Sequence, residues 1–373
     1  MILQESHKIK TLVLVGGGHA HIHILNKYNK KRYQNIKIIL ISSDTYQYYS
    51  GMASGYLEGI YQQDDFRFNL KAICNERGIV FIEDSVVKID YENQVLHTKG
   101  NQKIEYDFLS LNTGSIVKVK KKELGPNVFS VKPLSNLKKI KNAIESLVKL
   151  DKSIVIMGGG AAGIEIALAL SMYQQNDSNI HLTLIDRHNT LLNGSPKRVQ
   201  EIVTSRMKEV GIETYLGGFV TDINENYVYL ENGQKIAFDV LVLASGVAQT
   251  SLYKDSNFIV DDSSSMLVND NLQSLSADNV FGAGDCIQIR NNNLVKKNGV
   301  YAIRQAPILW KNILKVIKGK SLKRFKAQKT YLQIISLGQK KGILIYGKLV
   351  ISGYFAWKIK DLIDTSYMKK NKK

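Results

Sequence analysis

Residues 15–25 read VGGGHAHIHIL and set His19, His21 and His23 at alternating positions directly behind three glycines. On a single extended strand such a trio would point one way and could hold a metal. The flanking sequence argues for a different geometry. TLVLV is a short β-branched run of the kind that forms a buried parallel strand, and the glycines after it stand where a helix should open, over residues 18–27. On that helix His19 and His23 share a face and His21 points away. No Cys, Asp or Glu lies nearby at ligand spacing. The expectation is a nucleotide-binding loop with unusual side chains and no metal.

A second loop carries the same chemistry in fuller form. In SIVIMGGGAAGIEIALAL, Gly158, Gly160 and Gly163 form G-x-G-x-x-G between a strand and a helix. The first glycine allows the tight turn and the second lets backbone approach a pyrophosphate at the helix N-terminus. The third lets helix and strand pack closely. Asp186 ends the next strand, LTLID, where a carboxylate can accept from a ribose 2′-hydroxyl; this favours NADH over NADPH, tempered by Arg187. Glu165 falls in the first helical turn, a position the helix dipole favours whatever its role.

The two segments are halves of a duplication. Each has a glycine loop after an apolar strand and a second strand, IKIILIS or IHLTLID. Each closes on K-I-x-aromatic-Asp-x-Leu-x-Leu-x-x-Gly, in KIEYDFLSLNTG and KIAFDVLVLASG. The first half departs from the pattern: Gly16 and Gly18 keep the first two places, His21 takes the third, and Ser42 stands in the place of Asp186, with Asp44 two residues on. Thr113-Gly114 and Gly246 end the two return strands. A third loop, SADNVFGAGDC, supplies Gly284 and Asp285, the latter able to reach ribityl hydroxyls and a pyrophosphate through water.

The fold expected is therefore α/β: two Rossmann-like domains of the two-dinucleotide-binding flavoprotein type, plus a small C-terminal α+β segment. A discontinuous FAD-binding domain spans 9–125 and 247–320, an NAD(P)H-binding domain 126–246, and a basic C-terminal segment 321–373. Ser135 is expected to cap a helix over NLKKIKNAIESLVKL, and Ser195-Pro196 to cap KRVQEIVTSRMKEV. Pro307 is expected near a helix start. The C-terminal piece reads as two short strands, YLQIISLGQ and GILIYGKLVISG, then a helix, YFAWKIKDLIDTSYM.

On these motifs the chain resembles the pyridine nucleotide–disulfide oxidoreductase-like flavoproteins, near the type II NADH dehydrogenases. VGGGHAHIHIL, YYSGM, LSLNTGS, GVYAIRQAPIL and WKIKDLIDTSYM look most like the FAD-dependent oxidoreductases found fused to selenide, water dikinase; no kinase domain follows here. The resemblance implies FAD at Gly16, Gly18, His19, Ala20, Ser42, Thr113, Gly114, Gly284 and Asp285. It implies NAD(P)H at Gly158, Gly160, Gly163, Asp186 and Gly246. Glu165 would lie near the nicotinamide and Gln305 would line a quinone pocket, the two catalytic candidates. The redox cysteine pair of the disulfide reductases is missing: Cys74 falls in a helix and Cys286 follows Asp285. What remains is hydride transfer from NADH to FAD and on to a quinone or similar small acceptor. Two alternatives stay open, a flavoprotein acting on a selenium or sulfur species and a redox-responsive FAD/NAD-binding protein with a basic membrane- or nucleic-acid-binding tail.

Composition sets the outer bounds. Of 373 residues 44% are hydrophobic, so the chain is globular, and two cysteines exclude a disulfide-built secreted scaffold. The apolar run TLVLV is too short for a signal-peptide core, and no segment is long enough to span a bilayer. The expected location is cytoplasmic, with attachment to the inner face of the cell membrane as the finer reading. Net charge is +18, concentrated late: from Lys311 onward sixteen Lys and one Arg face only Asp361 and Asp364. In the last helix Phe355, Ile359, Leu362, Ile363 and Tyr367 form an apolar stripe with Trp357 suited to interfacial depth, so an anionic membrane surface is the expected partner rather than a specific nucleic acid. Oligomeric state is not legible in the sequence.

Overall fold

A computed structural model describes residues 9–117, 125–292, 297–328 and 330–372. Strand β1 (Lys10–Val15) leads into helix α1 (His19–Lys27) and β2 (Ile36–Ser42). Helices α2 (Ala53–Leu57) and α3 (Leu70–Arg77) and edge strand β3 (Val80–Glu83) follow. After a three-stranded antiparallel excursion the chain returns as β4 (Phe108–Leu111) and leaves the first unit through β5 (Ile116–Val117). The second unit contains β6 (Val128–Ser130), α4 (Asn136–Glu145), β7 (Lys152–Met157), α5 (Ala161–Asn176) and β8 (Ile180–Asp186). It continues with α6 (Lys197–Glu209), β9 (Glu213–Leu216) and, after a matching excursion, β10 (Val240–Leu243). The chain crosses back through β11 (Val247–Ala248), the antiparallel partner of β5, and completes the first sheet with β12 (Val280–Gly282). Last come α7 (Gly299–Ile317), a small sheet of β13 (Gln333–Ser336), β14 (Gly342–Tyr346) and β15 (Leu349–Gly353), and α8 (Tyr354–Asn371).

The duplication read in the sequence is the architecture. The two five-stranded sheets run β12-β4-β1-β2-β3 and β6-β10-β7-β8-β9, parallel throughout. In each, the strand before the glycine loop is central, flanked by the strand that follows the first helix and by the return strand. The repeated aspartate explains how the return strand is registered. Asp107 gives its N–H to Thr11 O (2.9 Å) and takes the Thr11 N–H on its carboxylate (2.7 Å). Asp239 does the same with Ser153, at 2.8 and 2.9 Å. Each carboxylate also holds a lysine, Lys10 or Lys149. One side chain thus locks two parallel strands at their start, before the glycine loops they must aim.

Several expected boundaries move. Helix α4 stops at Glu145, and Val148 and Leu150 beyond it are exposed. Neither Ser135 nor Ser195 makes a side-chain cap, and Pro196 itself holds the cap position of α6. Pro307 lies inside α7, which opens instead at Asn298, whose side chain accepts from Tyr301 N–H at 3.2 Å. The second C-terminal strand is a hairpin, since Gly347 (φ +59°) reverses the chain within GILIYGKLVISG.

Candidate functional site

Three loops meet at the C-terminal edge of the first sheet, and one buried side chain joins them. Asn112, at the end of β4, accepts Ala20 N–H from the first turn of α1 (3.0 Å) and donates to Ala283 O after β12 (2.6 Å). The glycines follow from this contact. A Cβ on Gly18 would stand 2.2 Å from Asn112 Oδ1, one on Gly16 (φ +88°) 2.5 Å from Asn112 O, and one on Gly284 (φ +77°) 2.7 Å from Asn112 Nδ2. Sequence reasoning passed over Asn112, although a signal existed: the repeat places Ala244 at the corresponding position of the second half.

The histidines turn to three different surroundings. His21, in the third-glycine place, sets Nδ1 2.6 Å from Gly16 O and Nε2 2.9 Å from Ser110 Oγ. A carbonyl only accepts, so Nδ1 carries the proton and Nε2 accepts from the serine hydroxyl. Burial holds the imidazole neutral, its pKa lowered to about 4. His19, also lowered to about 4 by burial, packs edge-on against Tyr49 and Tyr367. His23 is half-buried near Lys27 and Lys370. No site is shared by the three.

The remaining first-unit residues are placed as follows. Ser42 Oγ donates to Asp44 O and Asp44 accepts Tyr46 N–H at 2.8 Å, so both shape their own turn after β2. Thr113 Oγ1 lies 2.5 Å from Tyr253 OH, and Gly114 (φ +74°) faces open space. Asp285 accepts Ser115 Oγ at 2.8 Å and Lys132 Nζ at 3.0 Å; Lys132 comes from the second unit, just after β6. Gln305 is fully buried behind the loop, its carbonyl accepting Gly284 N–H at 2.7 Å; its Nε2 has no partner among the described residues. Cys74 and Cys286 are unpaired and buried, and burial pushes the Cys74 thiol up to about 12.

The second loop is tighter. A Cβ on Gly163 would stand 1.9 Å from Gly158 O, and Gly158 has φ +126°. In front of Gly160 and of Gly246 (φ +62°) nothing lies within 4 Å of the missing Cβ. The Asp186 carboxylate spans the loop: one oxygen accepts Gly159 N–H (2.5 Å), the other His188 N–H (2.8 Å), with His188 Nδ1 at 2.7 Å. Beyond it, at the end of β9, a shallow cavity of about 260 Å³ is lined by Leu216, Gly217, Phe219 and Leu230 among others. In both units a helix opens on glycine with no side-chain cap. Helix N-termini that open on glycine, with Asn112 taking the Ala20 N–H in the first unit, are what a dinucleotide pyrophosphate needs, so the residues fit FAD and NADH.

A buried cluster of charges joins the units. Glu165, half-buried, accepts Ser336 N–H at 2.8 Å, and burial raises its pKa while Lys360 opposes the rise. Lys360 bonds Asp364 (2.7 Å) and the Gly51 carbonyl of the first unit. Tyr49 OH donates to Asp364 at 2.7 Å. Glu58, pushed up to about 7 by burial, accepts Gln339 N–H at 2.9 Å, and its other oxygen has no partner among the described residues. This corrects the reading of the last helix. α8 turns Ala356, Trp357, Lys360, Asp364 and Met368 inward and leaves Phe355 (78%) and Leu362 (64%) exposed, with Ile359 and Ile363 beside them. Tyr367 packs inward on Tyr49 and His19, and Trp357 is buried.

Residues 10–311 match the profile of the pyridine nucleotide-disulphide oxidoreductase family, and the chain belongs to that family. A type II NADH:quinone oxidoreductase of Haemophilus influenzae is 24% identical over 377 residues, covering 85% of this chain and 83% of that protein. Among solved structures, NDH2 of Plasmodium falciparum in complex with NADH superposes with a TM-score of 0.83 at 14% identity, covering 98% of both chains. The sulfide:quinone oxidoreductase of Aquifex aeolicus gives 0.80 at 19% identity, covering 97% of this chain and 91% of that one. These structural likenesses establish a shared two-dinucleotide-binding fold.

Two outcomes follow. Asn112→Ala leaves Ala20 N–H and Ala283 C=O unpaired at once, each worth about 1–3 kcal/mol when buried, and is expected to lower bound FAD per chain, read from the absorbance ratio of flavin to protein. His21 binds its proton in the unfolded chain near pH 6.5 but in the fold only near pH 4. Stability present above pH 6.5 is therefore lost as pH falls toward 4, by up to about 1.4 kcal/mol per pH unit. His21→Asn, which keeps a donor for Gly16 O, is expected to flatten this slope in urea unfolding measured across that range.

Proposed function

For a member of this family we propose an electron path from NADH to FAD and on to a quinone-type acceptor drawn from an anionic membrane surface. The chain is an FAD-dependent NADH oxidoreductase. The observation that carries the path is the convergence on Lys360 of Glu165 from the second unit and Gly51 from the first. It brings the expected nicotinamide side of one loop against the other unit without any cysteine.

Bound FAD supplies the two-electron chemistry, taking reducing equivalents from NADH and releasing them to the acceptor. The first unit, with Gly16, Gly18, His19, Ala20, Ser42, Thr113, Gly114, Gly284 and Asp285, holds FAD. Asn112 and Gln305 keep its loops in place, so Gln305 works from behind the loop. Lys132, paired with Asp285, places a fixed positive charge at the same loop. The second unit, with Gly158, Gly160, Gly163, Asp186 and Gly246, holds NADH. Asp186 keeps one oxygen lone pair beyond its Gly159 contact for a ribose hydroxyl, and its charge repels a 2′-phosphate. Glu165 orients the carboxamide. Tyr49, Tyr367 and the buried Lys360–Asp364 pair close the region against water.

Support for the membrane comes from the outward face of the C-terminal segment. Tyr346, Leu349, Ile351, Tyr354, Phe355, Ile359, Leu362 and Ile363 are exposed together, with Lys348, Lys358, Lys369 and Lys370 around them. Among the described residues no helix is long and apolar enough to cross a bilayer. An amphipathic face of this kind lies in the interface, on the inner leaflet in this reading, where basic residues each add about 1 kcal/mol of attraction to anionic lipid.

Asp186→Ala is expected to narrow the ratio of kcat/KM for NADH over NADPH; a higher efficiency with NADPH in the unmodified enzyme would refute the cofactor assignment. Steady-state oxidation with quinone, ferricyanide and polysulfide tests the acceptor, polysulfide-only turnover pointing to the sulfur or selenium chemistry of the kinase-fused relatives. In flotation with vesicles containing anionic lipid, the chain is expected to float at low salt, and Phe355→Ser with Leu362→Ser to stay at the bottom while keeping FAD.

A further inference from the structure

The C-terminal sheet meets the second unit where β13 and the turn after it lie on α5 and where β15 lies on α6. Leu337 N–H donates to Lys341 O (2.8 Å) and Lys341 N–H to Gly338 O (3.0 Å). By the alternation of an antiparallel pair, Ser336 N–H then faces away from β14. It lands on Glu165 Oε1 at 2.8 Å. Three residues along α5, one turn beyond Glu165, the backbone of Gly338 (φ +71°) rests against the helix so closely that a Cβ would stand 2.6 Å from Leu168 O. Hydrogen bond and contact lie on one stretch of α5.

The turn is held from both units. Arg206 of α6 is buried, and a buried guanidinium is costly unless its donors are met. Its Nε donates to Leu337 O (3.1 Å), its Nη2 to Gln339 Oε1 (2.5 Å), and its Nη1 pairs with Glu209 (2.7 Å), which also holds Lys341 (3.0 Å). From the first unit, Glu58 accepts Gln339 N–H at 2.9 Å. These partners leave the turn little freedom, and none of them is needed to close the small sheet.

We infer that the turn joining β13 and β14 sets the orientation and charge of Glu165, with Ser336 and Gly338 as its positioning residues. The inference rests on the reading that Glu165 orients the nicotinamide end of NADH. The groups facing Glu165 are Lys360 and Asp364 from α8, Glu58 just after α2 and the Ser336 N–H. Burial, Asp364 and Glu58 favour the protonated acid; Lys360 and the Ser336 N–H favour the carboxylate. Removing the N–H tips this balance, so the carboxylate that accepts from the carboxamide persists only at higher pH.

The test uses the FAD-loaded enzyme. Ser336→Pro deletes the donor on an edge strand without losing a ladder bond, and Gly338→Ala pushes the turn off α5. Each is made alone and with Glu165→Gln. NAD+ affinity is measured by calorimetry across pH, alongside bound FAD and the rate of flavin reduction by NADH. The expected result is NAD+ affinity weakened roughly five- to tenfold, its acid limb moved up by about one pH unit, FAD retained, and no further change when Glu165→Gln is present. If Glu165→Gln is impaired while both turn variants keep the original affinity and pH profile, the inference is overturned and the role of Glu165 stands. If Glu165→Gln itself behaves as the unmodified enzyme, the role of Glu165 falls and the inference with it. Loss of FAD or of the fold in both turn variants would show a strut of the architecture and would also overturn it.

Discussion

A loop that offers helix N-terminal amides to a phosphate can spend few of them on its own support; α1 spends Ala20 N–H. Something else must fix it, and in the first unit that is Asn112. Its amide oxygen and nitrogen take a donor from α1 and an acceptor beyond β12, tying three loops that the sequence separates by wide intervals. Both bonds are buried, so neither group has water as an alternative partner. The backbone turns at Gly16, Gly18 and Gly284 are the shapes that remain once this side chain is in place.

The second unit solves the same problem differently. Ala244 replaces the asparagine, the third glycine lets α5 lie directly on the loop, and Asp186 takes Gly159 N–H from the neighbouring strand. The first unit has a histidine at that third place and a serine where Asp186 stands, and its imidazole bridges Gly16 and Ser110. Each departure in one half is matched by a compensating contact. Two copies of one motif thus have different walls, which suits two different dinucleotides.

The C-terminal segment completes the arrangement. Its inner face sets two charges among apolar side chains, because Lys360 and Asp364 meet Gly51, Tyr49 and Glu165. The apolar side chains that remain are left outside, where water is a poor neighbour and a lipid surface a better one. One helix therefore buries a charged pair against the first unit on one side and leaves apolar side chains exposed on the other.

How much of this was legible in the sequence depends on the range of each constraint. The glycine loops, the duplication and the parallel strands rest on rules within a turn or a strand: a positive φ, a helix start, an alternating or unbroken apolar run. These the sequence by itself determined. The facing of α8 was another matter. Helical period groups Phe355, Ile359, Leu362 and Ile363 into a stripe, but whether that stripe points inward depends on what stands opposite, and Tyr49 and Gly51 are about three hundred residues away. Asn112 and the partner of Gln305 were hidden for the same reason, since a polar residue reveals its partner only when the chain brings Ala20 or Gly284 beside it. Glu165 was visible as a position in a motif; its charge balance, set by Lys360 and the Ser336 N–H, exists only in the folded chain. The sequence determined which loops could hold dinucleotides, and the tertiary structure decided what holds the loops, because buried polar pairs are made between residues whose separation along the chain carries no pattern.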